Sequence, residues 1–385
     1  MPSLSESTQG KIQALQPGDT IGIVGGGQLG RMMALAAKYM GLRIGVLDPT
    51  PDCPTAQVAD FQIIADYDDQ DAIRELADRS DVLTYEFENV DADALDAVSD
   101  IVAIPQGTDL LRVTQNRIRE KSFINGLGIA TAPWREVHSQ AEVRTAVSEL
   151  GLPCVLKTAE GGYDGHGQLV LREEADFDRV WSDDNFPQSI VEGFVDFAFE
   201  ASIMVSGDGD HYVTFPVVRN EHRNNILHMT IAPADVDTEV DAIAHQLATT
   251  LAQGFKLAGT LGIELFVTCD GRVLVNELAP RPHNSAHYTI EACSIDQFAA
   301  HIRGISGWPL PQPRLLEPAV MVNVLGQHIP AVRAAALTHA DWFVHDYGKA
   351  QAKHNRKMGH VTVLCGDRNP VDVASELERT GIWEQ

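Results

Sequence analysis

The sequence is short of basic residues, of aromatics, of paired cysteines and of long apolar runs. Lysine and arginine number 29 against 54 aspartates and glutamates, a net charge of −25. That balance disfavours a general nucleic-acid binder, which needs clustered cations against phosphate. No apolar stretch approaches the ~20 residues of a membrane span. The polar start MPSLSESTQGK has neither the basic n-region nor the apolar h-region of a secretory signal. The five cysteines (Cys53, Cys154, Cys269, Cys293, Cys365) form no C-x-x-C pair. That argues against a zinc site and for a reducing cytoplasm. Four of them lie in apolar or mixed runs and read as buried thiols. What remains is an ordinary globular chain of 385 residues, 44% hydrophobic, long enough for two or three domains.

Residues 20 to about 105 alternate. Strand-like runs at 21–24, 43–47, 61–64, 82–85 and 101–104 flank helix-like stretches at 28–40, 69–79 and 91–98, a rhythm that predicts a parallel doubly wound sheet. The first turn, GGGQLG, spaces Gly25, Gly27 and Gly30 as G-x-G-x-x-G, and Asp48 ends the second strand. This spacing is the fingerprint of dinucleotide binding. TYEFENV (84–90) follows the fourth strand, where such sheets bind ligands.

Further on, LPCVLKT (152–158) and LVLR (169–172) read as a hairpin whose tip is the glycine-rich AEGGYDGHGQ. Glycines of this kind let backbone N–H groups close over phosphates, and Lys157 behind them offers a point charge. The loop lacks the Walker A pattern. Alternating strands follow at 189–195 and 199–218, then a long helix at 238–258. VEGFVDFAFE (191–200) offers a backbone segment and carboxylates for an adenine and a ribose. In 261–278, Asp270-Gly271 signals a two-residue turn. Cys269 then faces Arg272, and Glu264 falls opposite Glu277. Like charges so placed destabilise a sheet, whereas carboxylates ~5 Å apart suit a shared divalent cation. APRPHNSAHYT (279–289) packs Arg281, His283, Asn284, Ser285 and His287 into seven residues, as a substrate loop would. GWPLPQP (307–313) marks a boundary, and 315–385 reads as a small β-rich cap. In that cap Lys349, Lys353, Arg356 and Lys357 form a basic cluster suited to an anionic substrate.

In order, GGGQLGRM, EFENV, EKSF, VLKT, GGYDGHGQ, VNELAPRPHNSAH, HDYGK and RKMGH resemble the ATP-grasp ligases. The likeness is strongest to their branch that carboxylates aminoimidazole ribonucleotide in purine biosynthesis, and it covers roughly residues 20–365. It implies an α/β and α+β chain. A flexible arm (1–19) precedes a Rossmann-like pre-ATP-grasp domain (20–115). An ATP-grasp domain (116–313, flap about 150–215) and a small C-terminal domain (314–385) follow.

By the same resemblance Arg117 and Lys157 contact the phosphates of ATP, and Gly162, Tyr163, Asp164, Gly165, His166, Gly167 and Gln168 close over them. Glu192, Gly193, Phe194 and Val195 hold adenine, Glu200 the ribose, and His222 is a further nucleotide contact. Glu264 and Glu277 match the magnesium ligands (manganese being possible), with Asn276 in the same cluster. Gly27, Gln28, Leu29 and Glu88 hold the ribonucleotide. Tyr163, Arg281, His283, Asn284, Ser285, Lys349, Arg356 and Lys357 line its pocket. Asp164, Arg281, His283 and Lys357 are the catalytic candidates. The implied reaction joins ATP, bicarbonate and aminoimidazole ribonucleotide through carboxyphosphate, and the family is typically dimeric. The glycine turn then serves the ribonucleotide and not NAD. Three positions depart from the family pattern: His166 and Ala159 stand where basic residues are usual, and Ala286 where glycine is. A formate-using phosphoribosylglycinamide transformylase is the nearest rival; GGYDGHGQ and RKMGH favour the carboxylating branch.

Overall fold

The protein is described here by a computed structural model of residues 13–162 and 167–384. In the first of three sheets, β1 (Thr20–Val24), β2 (Arg43–Leu47), β3 (Phe61–Ile63) and β4 (Val82–Tyr85) run parallel in the order β3-β2-β1-β4. β1 and β4 are buried along their whole length, as parallel strands covered on both faces must be. Of the strand expected at 101–104 only a bridge from Ala103 to Val82 forms. Ile101 faces solvent and Pro105 closes the run, so little sheet can be added there.

Residues 1–12 of the expected N-terminal arm lie outside the described residues. Packing begins before residue 19, however. Leu15 is buried, donates its N–H to the Ser306 carbonyl (3.0 Å) and accepts from Trp308 Nε1 (2.8 Å).

The second sheet joins β5 (Trp134–Val137), β6 (Cys154–Thr158), β7 (Gln168–Leu171) and β8 (Ser189–Gly193) in the order β5-β8-β6-β7. β6 and β7 form the expected hairpin, with Lys157 opposite Gln168. The flap's sheet thus runs from Trp134 to Gly193, shifted toward the N-terminus from the expected 150–215. The next strand, β9 (Phe197–Asp208), leaves it to pair along its length with β13.

The third sheet holds β9, β10 (Tyr212–Thr214), β11 (Val218–Arg223), β12 (Ile226–Ala232), β13 (Ala258–Thr268), β14 (Val273–Ala279), β15 (Ala319–Leu325), β16 (Trp342–Asp346) and β17 (Lys357–Leu364). Its path is β14-β13-β9-β11-β12-β15-β17-β16, with β10 beside β9. The C-terminal segment is β-rich, as expected, and its strands continue the central sheet. β15 pairs with β12 through Ala319–Val322, so the chain's end extends the central sheet. Helix Thr238–Phe255 covers that sheet. Its Leu247 and Leu251 join Ile203, Val205, Leu261 and Ile263 in one core cluster, each such burial stabilising by about 1.5–3 kcal/mol. The cysteines sit as expected: four are buried and Cys269 is exposed.

The N-terminal domain is fixed to the rest by buried polar contacts. Gln106 Nε2 donates to the Pro280 carbonyl (3.0 Å), and Thr84 Oγ1 meets His301 Nε2 (3.0 Å).

Candidate active site

Glu264 and Glu277 stand directly opposite each other across β13 and β14. The register arises differently from the expected one. The turn is longer than Asp270-Gly271: the Thr268 N–H donates to the Arg272 carbonyl, and Gly271 takes φ +78°. That displaces the pairing by one residue. A bulge between Glu264 and Leu265 on β13, which leaves Asn276 the extra residue on β14, displaces it back.

Burial, and then the Glu277 carboxylate, push Glu264 up to about 7. Asn276 Nδ2 lies 3.5 Å from Glu264 Oε2, and Arg117 Nη1 lies 3.5 Å from Glu277 Oε2. Among the described residues no three His, Cys, Asp or Glu side chains converge as a closed metal cage. Two carboxylates and an amide oxygen do fit a hard divalent cation that keeps waters and phosphate oxygens as its other ligands.

Behind this pair lies a buried ion cluster. Glu192 accepts from both Lys121 and Lys157. Burial raises its pKa, but Lys157 and Lys121 overcome that and hold it at about 2. The Glu192 carboxylate is thus committed to lysines. Gly193 N–H already donates to the Pro133 carbonyl (2.8 Å), and Phe194 is exposed. Glu200 and His222 form a pair at 2.7 Å, close enough to act together on one sugar.

On the other side of the cleft Arg281 makes a two-pronged ion pair with Glu88. Nε donates to Oε2 (2.7 Å) and Nη2 to Oε1 (3.0 Å). Burial raises the Glu88 pKa; the Arg281 guanidinium more than reverses this and keeps the carboxylate ionised. Burial, with Arg281 and Lys357 nearby, holds His283 well below its usual value and therefore neutral. The Ser285 N–H points at His283 Nδ1 (3.4 Å), which leaves the ring proton on Nε2, 3.4 Å from Glu264 Oε1. The Ser285 hydroxyl is fully buried between Ser202 (2.7 Å) and His283 Nδ1 (2.9 Å). Its contact with Nδ1 helps to orient the imidazole. Both polar atoms of the Asn284 amide are buried with no partner among the described residues, which leaves them for a ligand.

The glycine turn opens helix Gln28–Tyr39. Gly25 adopts φ +106°, open only to glycine. A Cβ on Gly30 would come within 2.5 Å of Thr55 Oγ1. Glu86 caps the helix: it accepts from Gly27 N–H and from Gly30 N–H (2.6 Å). Asp48 accepts from Gly26 N–H (2.8 Å) and from Tyr67 (2.6 Å). Of the expected trio, Gly27 is therefore taken internally. The Gln28 and Leu29 N–H groups, first in the helix, have no intrahelical partner. Lys349 Nζ donates to the Lys357 carbonyl (2.8 Å). Burial, then Arg356, lower its pKa to about 8, against the pull of Glu86. Arg356 Nη1 donates to the Gln351 carbonyl (3.1 Å). Lys357 lies within electrostatic reach of Glu88, Glu264 and His283.

Residues 122–298 match the ATP-grasp domain family, residues 19–115 the ribonucleotide synthetase preATP-grasp domain, and residues 319–373 the phosphoribosylaminoimidazole carboxylase C-terminal domain. The N5-carboxyaminoimidazole ribonucleotide synthase of Bacillus subtilis is 47% identical over 91% of this chain and 93% of its own. The chain belongs to the N5-carboxyaminoimidazole ribonucleotide synthase family. A solved ADP complex of such a synthetase superposes with a TM-score of 0.92 at 48% identity, covering 96% of this chain and 98% of its own. An Aspergillus clavatus synthase, solved with ADP and 5-aminoimidazole ribonucleotide, gives 0.88 at 29% identity over 96% and 99%.

Tyr163, Asp164, Gly165 and His166 lie outside the described residues. Gly162, Gly167 and Gln168 flank them at the stem, where the Gly167 carbonyl accepts from Thr158 N–H (2.9 Å). The sequence reading preferred Glu88 to Glu86 for the substrate, and it did not single out Glu120 or Lys121. Lys121 and Glu120 do lie in the EKSF segment. Their signal is two charged residues on the inward face of a helix otherwise held by Ile124.

Proposed function

We propose that this chain carboxylates 5-aminoimidazole ribonucleotide with bicarbonate at the expense of ATP, giving ADP, phosphate and N5-carboxyaminoimidazole ribonucleotide. The observation that carries the reading is the Arg281–Glu88 bridge. It joins the N-terminal domain to the loop that follows the paired acids, so the nucleotide half and the ribonucleotide half share one cleft. The Aspergillus relative was solved with ligands of both kinds.

On the nucleotide side Arg117 and Lys157 take the phosphates beside Gly162, Gly167 and Gln168 at the hairpin stem, 193–195 holds adenine, and Glu200 with His222 holds the ribose. Asn276, Glu264 and Glu277 would hold magnesium, which would neutralise phosphate charge. A bicarbonate oxygen attacks the γ-phosphorus, the bond to the β-phosphate oxygen breaks, and ADP leaves with that oxygen as carboxyphosphate forms. Fixed cations such as Arg117 and Lys157 lower the cost of charge spread on the transferring group. Carboxyphosphate yields CO2 and phosphate, the exocyclic amine attacks the CO2 carbon, and the proton the amine loses passes to the released phosphate. Exclusion of water protects that intermediate.

On the acceptor side the Gln28 and Leu29 N–H groups, with Lys349 and Arg356, receive the ribonucleotide phosphate. Glu88, Arg281, His283 and Asn284 orient the imidazole, and Lys357 supplies charge at the carboxylate end. Tyr163 and Asp164 are assigned to substrate contact and catalysis by the family resemblance alone. The reading extends to a cytoplasmic homodimer.

The test is ADP release from ATP, magnesium and bicarbonate, with and without aminoimidazole ribonucleotide. Strong stimulation that disappears when bicarbonate is depleted is expected. Stimulation instead by glycinamide ribonucleotide with formate would replace this reading with the transformylase.

A further inference from the structure

β14 is an edge strand: β13 pairs with one side of it, and the third sheet ends there. It also carries Asn276, Glu277 and the bulge. An open edge next to a bulge has few ladder bonds to fix it, and a small slide would re-aim both side chains. The free edge is closed from outside by the helix Arg117–Gly126 and the segment after it. Val275 N–H donates to the Ala130 carbonyl (2.9 Å). Leu278 N–H donates to Glu120 Oε1 (2.7 Å), and the Asn276 carbonyl accepts from Lys121 Nζ (3.4 Å). Two consecutive side chains of one helix thus grip the backbone on either side of Glu277.

Glu120 and Lys121 are only 2% and 1% exposed. Burying such groups is costly unless they are bonded. Lys121 has a second task with Glu192. Among the described residues, the one hydrogen bond of the Glu120 carboxylate is that from the Leu278 N–H. The N-terminus of the same helix reaches the flap stem. Arg117 N–H donates to the Ala159 carbonyl (2.9 Å), and Asn116 Nδ2 to Glu160 Oε1 (2.9 Å).

We infer that Glu120, seconded by Lys121, is a positioning residue of this enzyme: it locks the β14 bulge so that Glu277 faces Glu264 at the spacing a divalent cation with a nucleotide requires. The inference rests on the reading of Glu264 and Glu277 as the metal pair.

The probe is Mn2+ titrated into the full-length protein with ADP, with free Mn2+ followed by its paramagnetic resonance signal. Glu120→Ala is expected to weaken Mn2+ uptake at least about tenfold, the scale set for metal-supporting partners. Glu120→Gln keeps an oxygen for the Leu278 N–H and is expected to restore near wild-type uptake. Glu277→Gln is the control. If it binds Mn2+ as well as wild type, the metal-pair reading fails, whatever Glu120 does. If it weakens uptake while a folded Glu120→Ala variant matches wild type, the positioning role is overturned. Glu120→Gln as impaired as Glu120→Ala would also overturn it, since the hydrogen bond would then not be what matters. Should Glu120→Ala fail to fold, amide exchange in wild type decides. Slow exchange at Leu278 supports the clamp, and exchange at the rate of an open edge removes it.

Discussion

The Glu86 carboxylate accepts from Gly30 N–H at 2.6 Å, and its other oxygen takes Gly27 N–H. In a dinucleotide-binding turn those donors face a pyrophosphate. Here the protein supplies its own anion. The fingerprint is present in sequence, and its ligand position is filled by a side chain from the end of β4.

NADH should therefore give no saturable fluorescence change at concentrations where ATP with magnesium saturates. Saturable NADH binding that ATP does not displace would mean that Glu86 yields the turn to a dinucleotide.

The opposed pair Glu264 and Glu277 makes a second expectation. Glu277→Gln removes one ligand charge and should cut turnover by about 10²–10³, the scale of losing one electrostatic contact to the transferring group. It also removes a like charge facing Glu264. The thermal midpoint in chelator should therefore stay level or rise. A variant with normal turnover would refute the metal assignment, and one that unfolds early would show that Glu277 serves the fold.

The paired acids were legible because like charges across a hairpin contradict sheet energetics. Their register was legible only by cancellation. A longer turn and the bulge at Asn276 each displace it by one residue, and neither has a reliable local signal. The parallel sheet was readable from its alternating runs. The membership of β15 in the central sheet was not, because its partner β12 lies 87 residues earlier and only tertiary pairing joins them. Lys121 and Glu120 stayed hidden for a related reason. Charged residues on a helix usually face water, and their partners Glu192 and Leu278 are distant in the chain. Ser285 reads with its neighbours as part of a substrate loop; the bond between its hydroxyl and Ser202, 83 residues earlier, is tertiary and leaves no mark in the sequence.

The Lys121–Glu192–Lys157 cluster separates binding from folding. Lys157→Ala leaves Glu192 paired with the buried Lys121, so the fold should persist while ATP affinity and rate both fall. Unchanged ATP affinity would count against its phosphate role. Glu192→Gln instead leaves the buried Lys121 ammonium without its counter-charge, and should destabilise by about 3–5 kcal/mol. The sign of its pH dependence follows from the depressed pKa. Glu192 titrates near 2 in the fold against an ordinary 4.5, so its contribution is complete above 4.5 and is lost as pH falls toward 2. The deficit of Glu192→Gln in denaturant melts should shrink over that window. A deficit independent of pH would mean that packing, not charge, is what the variant loses.

Lys349 puts a titration on the acceptor side. Burial first, then Arg356, bring its pKa down to about 8 in the free enzyme. It is an ammonium below that value and loses its charge as pH rises through it. If Lys349 meets the ribonucleotide phosphate, kcat/KM for aminoimidazole ribonucleotide should fall as pH climbs past about 8, because kcat/KM reports the free enzyme. The fall should be on the order of tenfold, the worth of one charge-assisted hydrogen bond. KM should carry it more than kcat, since the phosphate lies away from the reacting amine. Lys349→Arg keeps its charge across this range and should flatten the profile. A wild-type profile level through the same range, or an equal fall in Lys349→Arg, would release Lys349 from the phosphate and leave Arg356 with the Gln28 and Leu29 N–H groups to hold it.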